Sequence, residues 1–141
     1  MSTKLEFNPL LEEGLQKVFI SDFYTQTVQT TDATALVPMP LSKGIVEDSV
    51  VSFITRITAI EGATGDCWIY EFRGAITRMG AVTYLVDTVT SEYIAASPGA
   101  ALWSVSFVAN DTTEALDIKV TGEAAHIIEW TAVTVFNETT F

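Results

Sequence analysis

Most of the chain alternates apolar and polar residues with a period of two. From Asp22 onward the β-branched residues Thr and Val are frequent, and they suit a pleated sheet. Groups of Gly, Pro, Asn and Asp separate the alternating segments, and no helical period intervenes. The pattern predicts an all-β fold, an antiparallel, jelly-roll-like β-sandwich of about eight strands. The predicted strands are 22–30, 34–40, 47–60, 66–78, 81–90, 101–109, 114–121 and 126–137.

Two of the predicted strands are apolar on both faces. In VVSFITRITAI, Val50 and Ile54 alternate with a second apolar set, and in IIEWTAVTVF, Val133 and Val135 lie opposite Trp130. A strand that is apolar on both faces is typical of burial on both sides. The outer faces therefore predict an oligomer interface at these four residues. Cover by the N-terminal segment is the alternative.

The first 21 residues form a separate segment, and residues 22–141 form the sandwich domain. The stretch FNPLLEEGLQKVF predicts one short helix, with Asn8 as its N-cap and Pro9 at its first position. So short a helix is marginal in water unless its apolar side packs on a surface. That surface is either its own domain or a partner on which the segment docks as an arm. The residues expected to make the contact are Phe7, Pro9, Leu10, Leu11, Leu15 and Val18.

The single histidine, His126, lies in the segment LDIKVTGEAAHIIEW. We interpret this segment as a β-hairpin in which 116–120 and 127–136 are antiparallel partners and Gly122 supplies a positive φ. A general base needs positioned partners, and no serine or cysteine motif accompanies His126. We therefore expect it to have no role in proton transfer.

The charge balance is strongly acidic, with 18 Asp and Glu against 7 Lys and Arg. A net charge of −11 repels phosphate backbones and anionic lipids, so neither nucleic acid nor membrane is an expected partner. The chain also lacks an apolar run of about 18 residues that would span a bilayer. Its one cysteine, Cys67, has no partner for an internal disulfide and is expected to be a small buried hydrophobe.

Candidate chemistry is sparse. The sequence contains no Walker loop, G-x-S-x-G, H-E-x-x-H or C-x-x-C motif, which favours a protein that is not an enzyme and has no cofactor. The segment NDTTEALD offers oxygen ligands for calcium but lacks the EF-hand spacing, so we interpret it as a polar hairpin turn. Three tryptophans fall at inward strand positions, where core packing is the default and a sugar site is the alternative. The calcium candidates are Asn110, Asp111, Glu114 and Asp117, and the tryptophans are Trp68, Trp103 and Trp130.

A set of short motifs resembles a module of tailed-bacteriophage virion proteins. The motifs are TTDAT at 30–34, Val120-Thr121-Gly122 and Trp130, within a similarity that covers about 29–138. The last part of that stretch, NDTTEALDIKVTGEAAHIIEWTAVTVFNE, departs from the module at one point. The letters AAH stand where AGK is commoner, which alters a turn and removes a positive charge.

The resemblance implies a β-sandwich of the virion, assembled in the host cytoplasm, non-enzymatic and often trimeric. The main functional prediction is a capsid decoration protein that docks through its N-terminal arm on the major capsid protein or another virion protein. The alternative is a tail- or head-fibre module that binds a host receptor or glycan. A third alternative is an enzyme such as a depolymerase.

Overall fold

The computed structural model describes residues 23–32, 37–39 and 42–141. Over these residues the fold is all-β, with a single 3-10 turn at Pro98–Ala100, which confirms the predicted class. The predicted helical arm of residues 1–21 lies outside the described residues, and so do its contact residues Phe7, Pro9, Leu10, Leu11, Leu15 and Val18. No helix within the described residues is long and apolar enough to cross a membrane.

Ten strands occupy the described part of the chain, two more than the alternation predicts. The predicted strand 81–90 ends early, at Leu85, and a further strand that the alternation does not predict begins at Thr90. The chain turns between them at Asp87, which has a φ of 67°. Within the predicted strand 34–40, the two residues Val37 and Pro38 pair with another strand. The strands are β1 Phe23–Thr30, β2 Val37–Pro38, β3 Lys43–Gly44, β4 Ser49–Glu61, β5 Cys67–Met79, β6 Val82–Leu85, β7 Thr90–Ala96, β8 Ser104–Asn110, β9 Ala115–Thr121 and β10 Ile128–Thr140.

The strands form two antiparallel sheets. The larger sheet has the order β1-β10-β4-β5-β6, and β7 also pairs with β5. In the smaller sheet β9 pairs with β8 along its whole length, and with the short strands β2 and β3 at different points. Tight local connections link β4 to β5, β5 to β6 and β8 to β9, so each of these pairs is a hairpin.

The predicted hairpin between 116–120 and 127–136 is wrong. Strand β9 pairs within the smaller sheet and β10 pairs with β1 and β4, so residues 122–127 cross from one sheet to the other. Gly122 does not have a positive φ, but a Cβ atom there would lie 2.3 Å from the hydroxyl oxygen of Thr30. Glycine is therefore required for close approach of the backbone, whereas the left-handed residue of the crossover is Ala125, at φ 65°.

The two sheets pack on each other through their inward side chains. One cluster joins Ile118 and Val120 of β9 to Ile57 of β4 and to Trp130 of β10. Trp130 has no exposed surface, and its indole N–H donates to the Thr30 hydroxyl oxygen at 2.9 Å. A second cluster surrounds Phe53, Ile76, Leu116 and Phe136. The jelly-roll-like sandwich of the sequence prediction stays a prediction.

Candidate functional site

The outer face of the larger sheet carries all four residues of the predicted oligomer interface. Ile54 pairs with Val135 across the β4–β10 ladder, Val50 lies two outward positions along β4, and Val133 is the next outward residue of β10. Val50, Ile54 and Val135 are between 41% and 46% exposed, and Val133 is half-buried. The structure thus brings these four residues together on one face of the sheet. In the single chain this face is exposed, whereas the apolar pattern on both faces of the strands predicts a face that another surface covers.

The apolar surface continues across β5 to β6, which the sequence reasoning missed. Val50 pairs with Thr77 on β5, and Thr77 pairs with Tyr84 on β6, so the three residues form one row across the sheet. The next row pairs Met79 with Val82. Tyr84, Met79 and Val82 are 48%, 54% and 53% exposed. The available signal was the alternation in MGAVTYLV, which places these side chains on one side.

Charges on this face are balanced around one carboxylate. Arg73 contacts a Glu71 oxygen at 2.9 Å, and Arg56 contacts the other oxygen at 3.3 Å. The hydrogen bond from Arg73 is the main cause that lowers the pKa of Glu71, and the charges of Arg73 and Arg56 add to it while desolvation opposes it. The exposed Glu92 lies directly opposite Glu71 across the β5–β7 ladder, so two cations meet two anions and this part of the surface is close to neutral, unlike the chain as a whole, which has a net charge of −11.

A second surface feature is a cleft beside β5 and β7 where the two sheets separate. Its volume is about 270 Å³. Trp68 and Tyr70 stack at 4.3 Å between ring centroids, and Tyr70 meets the ring of Tyr93 edge-on at 5.6 Å. The side chains that contribute rings or hydroxyls to its lining are Trp68, Tyr70, Phe72, Trp103, Ser91 and Ser104.

Exposed aromatic surface near this cleft belongs to tyrosine, not to tryptophan. Trp68, Trp103 and Trp130 are at most 6% exposed, so the default prediction of core packing is confirmed for all three. Trp103 also donates its indole N–H to Glu123 at 3.1 Å. Tyr70 is half-buried and Tyr93 is 60% exposed.

A second cavity of about 380 Å³ adjoins the cleft, and three residues line both. These shared residues are Phe72, Ser91 and Val105. Phe107, Asp87 and Thr88 line the second cavity alone. The two spaces together follow the side of the domain where β7 faces β8.

The segment NDTTEALD forms the β8–β9 hairpin turn, as predicted. The Asn110 side-chain oxygen accepts hydrogen bonds from the backbone N–H groups of Thr112 and Thr113. Asp111 and Glu114 accept from the backbone N–H and the hydroxyl of Thr83, so the calcium candidates hold the turn and the neighbouring strand. Across the residues that the structure covers, no group of three His, Cys, Asp or Glu is arranged to hold a metal ion.

His126 lies at the end of the crossover, where its backbone N–H donates a hydrogen bond to the backbone carbonyl oxygen of Glu123 at 3.2 Å. The carboxylate of Glu61 interacts electrostatically with His126. It accepts hydrogen bonds from the hydroxyl and the backbone N–H of Thr64. The Thr64 hydroxyl is the main cause that lowers the pKa of Glu61, and the His126 charge contributes least. Cys67 is half-buried and its backbone N–H donates to the Ser97 hydroxyl oxygen at 3.0 Å.

The chain matches no protein-family model and no curated protein. Among solved structures it is similar to the tailspike protein of Acinetobacter baumannii phage AM24, with 9% identity, 84% of this chain covered and a TM-score of 0.48. It is also similar to tailspike gp49 of A. baumannii phage Fri1, a capsular polysaccharide depolymerase, with 9% identity, 96% coverage and a TM-score of 0.39. For the tailspike of Acinetobacter phage vB_ApiP_P1 the values are 14%, 100% and 0.40. The matches cover 28%, 22% and 24% of those chains, so this chain spans about a quarter of their length.

One functional prediction is contradicted. It is the prediction of a protein that is not an enzyme, since one of the similar structures is that of a depolymerase, and we withdraw it. All three similar proteins are phage tailspikes, and none of them is a capsid decoration protein.

Proposed function

We propose that this protein is a structural module of a phage tail fibre or tailspike, and that it self-associates through the outer face of its larger sheet. The observation that carries the proposal is the exposed apolar surface formed by Val50, Ile54, Val135 and Tyr84 at the centre and β6 side of that sheet. These side chains lie in two rows of the face, with Ser52 and Ala75 between the Val50 row and the Ile54 row. Exposed apolar side chains clustered on a water-facing sheet support an interaction site. The resemblance of short motifs within 29–138 to virion modules points to the same assignment.

A second copy of the chain is the occupant that the charges favour. Two molecules with a net charge of −11 repel each other over most of their surfaces. The outer face is closer to neutral, because Arg56 and Arg73 offset Glu71 and Glu92. Arg73 lies in the same row as Ile54 and Val135, and Arg56 lies in the same row as Val133. Copies that meet at this face bury apolar side chains while keeping the acidic surfaces apart, and a trimer is the state that the virion resemblance favours.

The test of self-association is the mass in solution. Light scattering coupled to gel filtration should give two or more times the 15.3 kDa chain mass for the unmodified protein, and three times that mass if it is a trimer. The double variant Ile54→Glu, Val135→Glu should shift that mass to one chain, because it places carboxylates at the centre of the contact. The matched control is Ile127→Glu, which alters a residue that is 54% exposed in the crossover, off the sheet face.

Two results would contradict the self-association. One is a single-chain mass for the unmodified protein at every concentration measured, and the other is an equal loss of mass in the Ile127→Glu control.

The position in the particle has its own test, which is antibody labelling of virions that carry the chain. Label at the tail would support the proposed module, whereas label over the capsid would return the assignment to capsid decoration.

A further inference from the structure

The outer face of the larger sheet lies beside the point where the arm, residues 1–21, joins the sheet domain. Strand β1 begins at Phe23, which pairs with Val135, and Val135 pairs with Ile54 on β4. The chain therefore enters the sheet in the same row as two exposed apolar residues of the proposed contact. We propose that the arm of one copy packs on the outer face of a neighbouring copy. This inference rests on the proposed self-association and names the segment that makes it.

The sequence of the arm supplies an apolar side for this contact. In a helix over FNPLLEEGLQKVF, the residues Leu11, Leu15 and Val18 follow the spacing i, i+4, i+7 and share one side. Anchors at this spacing are how an amphipathic helix packs on an apolar surface. A helix this short is marginal alone, so packing on the exposed outward residues of β4 and β10 would stabilise the arm and cover the face.

The predicted helix is long enough to cross the face. Residues 9–19, which follow the Asn8 cap, extend about 17 Å at 1.5 Å per residue. The strands β1, β10, β4 and β5 lie side by side at about 4.8 Å, so about 14 Å separates the first from the last. One arm can therefore cover the row of Ile54 and Val135 across all four strands.

The charge of the arm suits association between acidic copies. The arm has Lys4 and Lys17 against Glu6, Glu12 and Glu13, a net charge of −1, whereas the whole chain has a net charge of −11. A nearly neutral arm approaches a second acidic copy with little repulsion. The face that receives it is also close to neutral, because its exposed arginines offset the neighbouring glutamates.

The short link to β1 favours a neighbouring copy over the arm's own domain. Residues 20–22 separate the predicted helix from β1, and three residues span at most about 11 Å. Packed layers lie about 10 Å apart, so a helix on its own face would use the whole link to leave the sheet and have none for the turn back. Short hinges of this kind favour exchange of a segment between copies.

The experiment mixes two full-length variants, each of which has lost a different half of the contact. The arm variant, Leu11→Glu with Leu15→Glu, keeps the face, and the face variant, Ile54→Glu with Val135→Glu, keeps the arm. Light scattering should give one chain mass, 15.3 kDa, for each variant alone. An equimolar mixture should contain a complex of twice that mass, because the intact arm of the face variant fits the intact face of the arm variant.

Lys17→Glu is the matched control for the arm variant. This one substitution changes the net charge as much as the two leucine substitutions do, but Lys17 faces away from Leu11 and Leu15 at 100° per residue. It should keep the mass of the unmodified protein. Circular dichroism would first confirm that the sheets of each variant are folded.

The outcomes separate this inference from the proposed self-association. If the face variant dissociates and the arm variant keeps the mass of the unmodified protein, copies meet face to face and the inference is overturned while the self-association stands. A mixture that stays at one chain mass overturns it as well, since the arm then acts within its own chain. Equal dissociation of Lys17→Glu would do the same, because charge alone would explain the loss. A single-chain mass for the unmodified protein contradicts the self-association itself, and the inference with it.

Discussion

The inner and outer faces of β4 and β10 look similar in sequence and differ in the structure. The inward residues Val51, Phe53 and Ile57 are at most 2% exposed, whereas the outward residues Val50 and Ile54 are 41% and 46% exposed. Both sets are apolar and both follow the same period of two. The pattern therefore identifies a central strand, but it does not say what covers each side of that strand.

The two faces have different roles because burial differs between them. Fully burying a Val, Ile or Phe side chain contributes about 1.5–3 kcal/mol, so the inner face stabilises the single chain. The outer side chains gain that contribution only when a second surface covers them. Substitutions on the inner face should thus change the free energy of unfolding, and substitutions on the outer face should change association.

The largest expected effect tests this contrast directly. Trp130→Ala removes the side chain with no exposed surface at the centre of the inner face, and it also leaves the Thr30 hydroxyl without its donor. We expect a loss of about 3–5 kcal/mol in the free energy of unfolding. Ile54→Ala, on the outer face of the neighbouring strand, should change the unfolding of the single chain by roughly 0.5 kcal/mol or less.

Chemical denaturation followed by circular dichroism, at a concentration where the protein is a single chain, measures both values. Trp130→Phe is the milder substitution if Trp130→Ala does not fold, and it should still lose the hydrogen bond to Thr30. Equal losses for Trp130→Ala and Ile54→Ala would erase the distinction between the two faces.

The local part of the fold could be predicted from the sequence. The long strands β4, β5 and β10 lie within a few residues of their predicted bounds, because each alternates over many positions. The turns at 61–66, 80–81 and 111–114 are also where turn residues predict them, since a short connection forces its two strands to pair.

The connection between the sheets could not be predicted. A six-residue link after Val120 and Thr121 has turn residues whether it closes a hairpin or crosses to the other sheet. The choice is made by distant partners, since β10 pairs with β1 and with β4 along its length. Strand β7 was missed for a similar reason, as its exposed residues pair with β5 without a regular alternation of buried and exposed positions.

The candidate site was predicted in part. The outward residues of β4 and β10 share a face because alternation fixes direction along each strand. Tyr84 and Val82 join that face because β6 pairs with β5, and this pairing could not be predicted from the sequence. The cleft depends on where β7 and β8 lie relative to the buried Trp68 and Trp103, so Tyr70 in its lining could not be distinguished from other strand residues.

An intermediate effect is expected from a pair of buried threonines on the inner face. Thr55 and Thr134 are fully buried, and their hydroxyl oxygens are 2.8 Å apart. Thr134→Val keeps the shape but leaves the Thr55 hydroxyl without this partner, which should cost about 1–3 kcal/mol. The double variant Thr55→Val, Thr134→Val should recover most of that loss, because both polar groups are then removed.

A double-mutant cycle in urea measures the coupling of the two threonines. A double variant that is less stable than either single variant would show that the hydroxyl pair is favoured over an apolar inner face. That result would weaken the contrast between the inner face of β4 and β10, which excludes water, and their outer face, which does not.

The smallest expected effect concerns the crossover that decides which side of β10 faces inward. Ala125 has a φ of 65°, a conformation that disfavours any residue with a Cβ atom by about 1–2 kcal/mol. Ala125→Gly should therefore raise the free energy of unfolding by up to about 1 kcal/mol, after the greater freedom of glycine in the unfolded chain is counted.

Ala124→Gly is the matched control, because Ala124 is exposed beside Ala125 and has no positive φ. This variant should lose about 0.5 kcal/mol in the free energy of unfolding, from the added freedom of the unfolded chain alone. If both substitutions destabilise the protein equally in urea, the left-handed residue does not strain the crossover, and the route by which β10 enters the larger sheet needs another explanation.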